Sequence, residues 1–449
     1  MINNLSLLTI NEFIDSQDPT LDKEIVTLID QYSGELVNFK KHHLPVPANG
    51  RYLYRTKVNS DESIVYYKRI VSHEISIKIA EVYGDGNTDD SHAIQQLIDE
   101  METGQVLHLD NKRYMLHQPL QINKAIKIKG SATKSSVSFP PFLITNNNDG
   151  IMINTSGAVL EGFGIYNIIW YTMSPNGHTG VKVNGSPASH AYDIILRDLT
   201  IRGYQTALDV NYLWSSQIQT VKTENCKVGI LVRGQSVNNE ISNNTSIAIT
   251  PDYDIPGSRG IWFEGTASKE GWRIIDTFIC NVYEGIYAEN TSRVSILNSM
   301  IDFCRHVGIG IAEDCNNWNI NSNYIALRQP GYGICLTNHV QGSKFTRGNK
   351  ILDNDIVMYD HPETDHISIG INIAGKGSLY DDLRGNSVKG FKVYDIQAAS
   401  GLKTTISYNK CLSEIHPNIM GNFITNDNVG TVYEQNLNDS LCLGKVNII

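Results

Sequence analysis

The chain has 449 residues, 41% of them hydrophobic and 19% charged, which supplies a large core and excludes intrinsic disorder. Lys and Arg number 37 against 47 Asp and Glu, and the net charge of -10 gives no general pull toward nucleic acid or an anionic membrane. No run of 18 apolar residues predicts a spanning helix, and seven scattered cysteines without a CxxC point to reduced thiols rather than a disulfide framework or zinc knuckle.

Residues 1–80 read as a small mixed N-terminal module. Met1 to Leu5 carries no basic-then-apolar pattern, so no standard signal peptide is expected. Asn11 to Ser16 and Asp22 to Gln31 predict short helices, and Gly50 to Tyr67 alternates like a hairpin. Next, Gly84 and Gly86 suit a tight turn. Asp89 or Asp90 then caps a helix near 90–100 whose apolar face is Ala93, Ile94, Leu97 and Ile98. The pattern GxxxxGK[ST] is absent, so this turn is not a phosphate loop.

From about residue 120 the chain repeats a unit of Gly, apolar, any, apolar. It recurs at Gly150, Gly180, Ala207, Gly229, Gly260, Gly285, Gly308, Gly333 and Gly370. A second unit lies between, as in Ile195-Leu-Arg-Asp-Leu-Thr-Ile201 and Ile274-Ile-Asp-Thr-Phe-Ile279. The apolar positions are Ile and Val rather than the fixed Leu of leucine-rich repeats. With 43 Asn and 36 Gly available for corners, the pattern predicts an all-β solenoid, a parallel β-helix over 81–400. Each coil buries its apolar face only against its neighbours, at a spacing of about 5 Å. Residues 401–449 match no such pattern and are expected to form a C-terminal cap or trimerisation segment.

Tyr66-Tyr-Lys-Arg-Ile70, Gly84-Asp-Gly-Asn-Thr-Asp-Asp90, Ala93-Ile94-Gln95 and Gly104-Gln-Val-Leu-His-Leu109 resemble the opening of bacteriophage tailspike proteins. These are the pectate-lyase-like, right-handed β-helix family that degrades bacterial surface polysaccharide. The likeness covers roughly 63–116, and the repeats extend it to about 400. It implies the right-handed fold, a polysaccharide partner from capsule or O-antigen, and a homotrimer. It also implies a place in the virion tail, after synthesis in the host cytoplasm, with the N-terminal module docked on another tail protein. It does not specify the reaction, because lyases, hydrolases, epimerases and deacetylases share the fold. At 449 residues the chain is short for a tailspike, and no large particle-binding domain is expected within it.

Alternation along a strand turns positions +2 and +4 after each Gly outward. Successive coils then present Lys182 with Asn184, Asp209 with Asn211, Leu231 with Arg233, Trp262 with Glu264, and Tyr287 with Glu289. Trp262 and Tyr287 are expected to stack as platforms for sugar rings. Glu264 and Glu289 are expected one coil apart, with Arg233 one coil below Glu264 and Asp209 nearby. Two carboxylates this close do not both ionise cheaply, and Arg233 would favour ionised Glu264 and protonated Glu289. Such a pair is what glycoside hydrolysis needs. A separation of about 5 Å suits retention and about 6.5–9.5 Å suits inversion, for which Asp209 is an alternative partner. A lyase would instead use Tyr287, Arg233, Arg293 or His306, and an adhesin would bind without cleaving.

Asp302, Glu313 and Asp314 are reserve catalytic acids near the same groove. Asp198, Asp276, Asn298 and Asp353 share one register and read as a structural ladder. Extra residues at 170–178, 250–258 and 359–366 enter one corner and are expected to wall the groove. No cofactor is expected. Nor is a metal: Asp360, His361, Asp365 and His366 lie in a Pro-containing loop without Cys. Cys226, Cys280 and Cys304 read as packing residues.

Overall fold

The computed structural model describes residues 8–31, 35–43, 50–131, 141–168, 177–250, 255–265, 267–312, 314–337, 346–359, 368–374, 378–391, 394–398, 401–402, 404–417, 423–424 and 429–432. The N-terminal part carries helix Ile10–Asp15, closed by a capping box of Thr9 and Glu12. It packs on an antiparallel sheet in the order Ile25–Ile29, Leu36–His42, Ile64–Arg69, Tyr54–Val58. Ile10, Phe13, Val26, Leu28, Phe39 and Tyr67 form its core. The hairpin expected from alternation is the pair Tyr54–Val58 and Ile64–Arg69. The helix expected over Asp22 to Gln31 is not there. Ile25–Ile29 is a strand, because its β-branched residues alternate exposed and buried with period two against Leu36–His42.

Glu74–Ser76 is the first strand of the solenoid, and helix Ser91–Glu100 closes the end of its core with Ile94, Leu97 and Ile98. Asp90 is the helix N-cap residue, but its carboxylate accepts from the backbone of Tyr83 at 2.7 Å and Gly84 at 3.1 Å. Glu100 ties the two parts together: its buried carboxylate accepts backbone N–H bonds from Arg51 and Leu53 at 2.5 Å and Tyr52 at 2.8 Å.

Beyond this point each coil contributes to three faces. On the first, strands such as Ile195–Arg197, Arg273–Ile275 and Ser295–Leu297 stack in parallel. The second is built from strands such as Thr200–Arg202, Phe278–Cys280, Met300–Cys304 and Tyr324–Leu327. The third holds the Gly units, among them Thr206–Asn211, Val228–Arg233, Arg259–Phe263, Glu284–Ala288 and Val307–Ile311. Parallel stacking continues through Lys410–Pro417 to Val429–Val432, past residue 400.

Both units of the repeat have a physical cause. A Cβ at Gly260, Gly285, Gly308 or Gly333 would stand 2.4–2.5 Å from the backbone oxygen of the glycine one coil on, so no side chain fits the column. The following apolar residues, Ile230, Ile261, Ile286, Ile309 and Ile334, stack fully buried, and each contributes about 1.5–3 kcal/mol of transfer free energy. The second unit bends from the first face to the second. Asp198, Asp276, Asn298 and Asp353 occupy the left-handed region at this bend, with φ of 49–52°, which Asn and Asp tolerate. The hydrogen-bonded ladder stands one residue later than the spacing suggests, with Asn323, Asn354, Asn386 and Asn409 joined amide to amide at 2.9–3.0 Å.

Candidate active site

The register of the third face places Lys182, Asp209, Leu231, Trp262, Tyr287 and Gly310 in one outward column. Trp262 is the register partner of Tyr287, and both are half-buried. Between their side chains lies a cation that the outward map missed. The Arg259 guanidinium carbon stands 4.2 Å from the Trp262 ring centroid and 4.5 Å from that of Tyr287. Arg259 is fixed by its register partner Glu284, with Nε to Oε2 at 2.5 Å. The signal was present as opposite charges immediately before the Gly of consecutive coils, Arg259-Gly260 and Glu284-Gly285.

Glu264 and Glu289 follow these strands on consecutive coils, their N–H groups bonded to Val232 and Phe263 at 3.0 and 3.1 Å. The Tyr287 hydroxyl donates to Glu289 Oε1 at 3.1 Å. Burial first, and then the Glu289 charge, push the phenol well above its ordinary range. The Glu289 carboxylate lies on Gly265, where a Cβ would stand 2.3 Å from Oε2.

Behind the pair sits Lys269, also unforeseen and fully buried. Its ammonium donates to the carbonyl oxygen of Glu264 and, at 2.6 Å, to that of Ala267. Burial pushes its pKa down to about 8, opposed in part by the charges of Glu264 and Glu289. Both candidate carboxylates thus act on one enclosed cation.

Arg233 requires a correction. Its backbone lies one coil below Glu264, but its side chain turns the other way and grips Asp209 with two bonds, Nε to Oδ1 at 2.9 Å. Asp209 is 4% exposed and committed to that ion pair. The charge expected to favour ionised Glu264 therefore stands on Asp209.

Asp302 is not on this face. It lies on the second, beside Cys280, where its carboxylate accepts the Phe303 N–H at 3.0 Å and is raised by burial. Asp314 sits at the bend after the third face, with φ of 56°, and Glu313 is outside the described residues. So are segments 169–176, 251–254 and 360–367, which hold most of the three expected wall loops and Asp360, His361, Asp365 and His366. Among the described residues no group of three His, Cys, Asp or Glu could hold a metal. Cys226 and Cys280 are free thiols pushed up to about 12 and about 11 by burial, which suits packing rather than nucleophilic attack.

No family model matches the chain. A stretch of 56 residues, 12% of the chain, is 38% identical to a probable glucan endo-1,3-beta-glucosidase of Arthroderma benhamiae and spans 6% of that protein. Among solved structures, the enzymatically active domain of tailspike protein 2 from bacteriophage CBA120 is 12% identical, with 95% of this chain and 61% of that one covered and a TM-score of 0.53. The Dettilon tailspike protein is 15% identical over 80% of this chain and 68% of its own, with a TM-score of 0.52. PfbA, a surface adhesin of Streptococcus pneumoniae, is 14% identical over 80% of this chain and 88% of its own, with a TM-score of 0.51. The architecture built above is the right-handed parallel β-helix that phage tailspike proteins share.

Proposed function

We propose that this chain is a tailspike depolymerase that binds bacterial capsule or O-antigen polysaccharide and cleaves it by endo-hydrolysis, with Glu264 and Glu289 as the catalytic pair. The observation that carries the proposal is one continuous constellation on the third face. Two carboxylates follow on consecutive coils, one is oriented by the Tyr287 hydroxyl, and the buried Lys269 ammonium donates to the main-chain carbonyl of Glu264. In hydrolysis, one carboxyl protonates the leaving glycosidic oxygen while the other activates water or attacks the anomeric carbon. Lys269 gives this cluster a cation where two neighbouring acids would otherwise repel. Trp262 and Tyr287, braced by Arg259, contribute apolar surface to a bound sugar ring. Arg233 and Asp209 border the same face as a rigid pair.

Mass spectrometry of products from a panel of purified capsular and O-antigen polysaccharides tests this reading. Hydrolysis adds one water per cut, whereas elimination leaves a conjugated double bond. Glu264→Gln and Glu289→Gln should each lower the rate by ~10²–10⁴-fold with little change in melting, and azide should restore activity to whichever variant lacks the base or nucleophile. Trp262→Ala should weaken binding first. Both Gln variants working within threefold of the parent would remove the pair from the mechanism. Unshortened polymer that is nonetheless bound would instead make the chain an adhesin.

The tailspike fold also supports a homotrimer acting outside the cell from the virion tail. In that arrangement the four-stranded N-terminal module is the segment that docks on another tail protein.

A further inference from the structure

Strand Met300–Cys304 on the second face breaks the regularity of its neighbours. It holds five residues where Phe278–Cys280 has three, and its register with Tyr324–Leu327 shifts between Ile301 and Cys304. The pairing accommodates one extra residue, which makes this a β-bulge. Phe303 stands in the bulge with φ of 50°, in the left-handed region, where a bulky side chain costs roughly 1–3 kcal/mol. The strained residue nonetheless stays at the surface: Phe303 is 38% exposed, and Met300 of the same strand is 43% exposed. The Phe303 ring lies nearly parallel to Tyr359, with centroids 5.5 Å apart and planes at 24°, and Tyr359 is 52% exposed. The hydroxyls of Tyr359 and Tyr324 are hydrogen-bonded to each other at the rim. Asp302, one residue before Phe303, adds a carboxylate, and exposed Arg328 takes the register position between the coils of Phe303 and Tyr359.

We infer that Phe303 and Tyr359 form a second saccharide platform, separate from the Glu264–Glu289 face, that holds a pyranose ring of the same polysaccharide. The inference rests on the reading of the chain as a polysaccharide-binding protein. The stacked rings leave an outer aromatic face that matches the C–H face of a sugar, and the surrounding carboxylate, guanidinium and phenol groups match its hydroxyl edge. A second copy of the chain is the poorer occupant. The bulge lifts Phe303 out of the pleat and interrupts the flat face that lateral packing of two solenoids needs.

The test uses affinity electrophoresis in native gels, each cast with one of the purified capsular and O-antigen polysaccharides, with the full chain carrying Glu264→Gln and Glu289→Gln so that the polymer persists. Phe303→Gly in that background removes the ring and accepts the left-handed backbone, so its melting temperature should equal or exceed that of the parent. Phe303→Gly and Tyr359→Ala should each weaken retardation at least tenfold in dissociation constant. If the parent is retarded and both variants are retarded equally, the platform is overturned while the polysaccharide reading stands. If no polysaccharide retards the parent, the polysaccharide reading falls and the platform with it. A change in sedimenting mass on Phe303→Gly would also overturn the platform, by making this patch a contact between chains.

Discussion

Lys269 ties the electrostatics of the candidate site to the stability of the fold. A pKa moved from 10.5 to about 8 corresponds to roughly 3 kcal/mol of penalty for enclosing the ammonium below pH 8. Between pH 8 and 10.5 the unfolded chain binds a proton that the folded chain has released, so this group makes unfolding harder as pH rises. Chemical unfolding of the parent and Lys269→Met across that window should show the parent gaining roughly 3 kcal/mol relative to the variant. Parallel pH profiles would remove Lys269 from the electrostatics. Neither this lysine nor Arg259 was legible from strand alternation. Lys269 opens the two-residue strand Lys269–Glu270 after the turn that follows Phe263, too short for period two to show, and beside Glu270 it reads as a surface charge. Arg259 lies before its glycine, outside the positions that alternation turns outward. Trp262, Tyr287, Glu264 and Glu289 were legible because they stand inside or directly after a regular strand. The direction of the Arg233 side chain was not, because register fixes a backbone position and Asp209 decides the rotamer.

The elements that repeat were the most legible, and their repetition is mechanical in origin. The glycine column follows from backbone approaching backbone, so Gly308→Ala should destabilise by about 1–3 kcal/mol in thermal unfolding, as overpacking does. The asparagine column is a second such constraint. Asn354 accepts from the backbone N–H and side-chain amide of Asn323, and it donates to Ile320 O and Asn386 Oδ1, each at about 3.0 Å. Asn354→Ala should leave the Asn323 backbone N–H buried without an acceptor, at about 1–3 kcal/mol. Asn354→Asp should be no better, because it keeps the acceptor while turning a charge toward Asn386 Oδ1. An unchanged melting temperature in Asn354→Ala would show that the ladder does not hold the corner. This column was missed by one residue, because the left-handed Asp and Asn before it have the same spacing and a similar composition. The strand Ile25–Ile29 was misread because five residues are too few to separate a helical from an alternating pattern.

At the scale of the molecule, three solenoids side by side would sediment at about 150 kDa, three times the 50.1 kDa of one chain. A stable 50 kDa species would exclude the trimer. The close glycine contact has a consequence of another kind. Because the same contact recurs between successive coils, excising one whole coil leaves two cut faces that still match. Removal of residues 285–307 would join Glu284 to Gly308 and stack the coil of Phe263-Glu264 on the coil that begins at Gly308, with the fold intact and Glu289 gone. Such a scaffold can change length by unequal recombination, one coil at a time, while its chemistry depends on which two coils are adjacent. The molecule is in this sense a text that tolerates deletion of any line except the pair that must be read together.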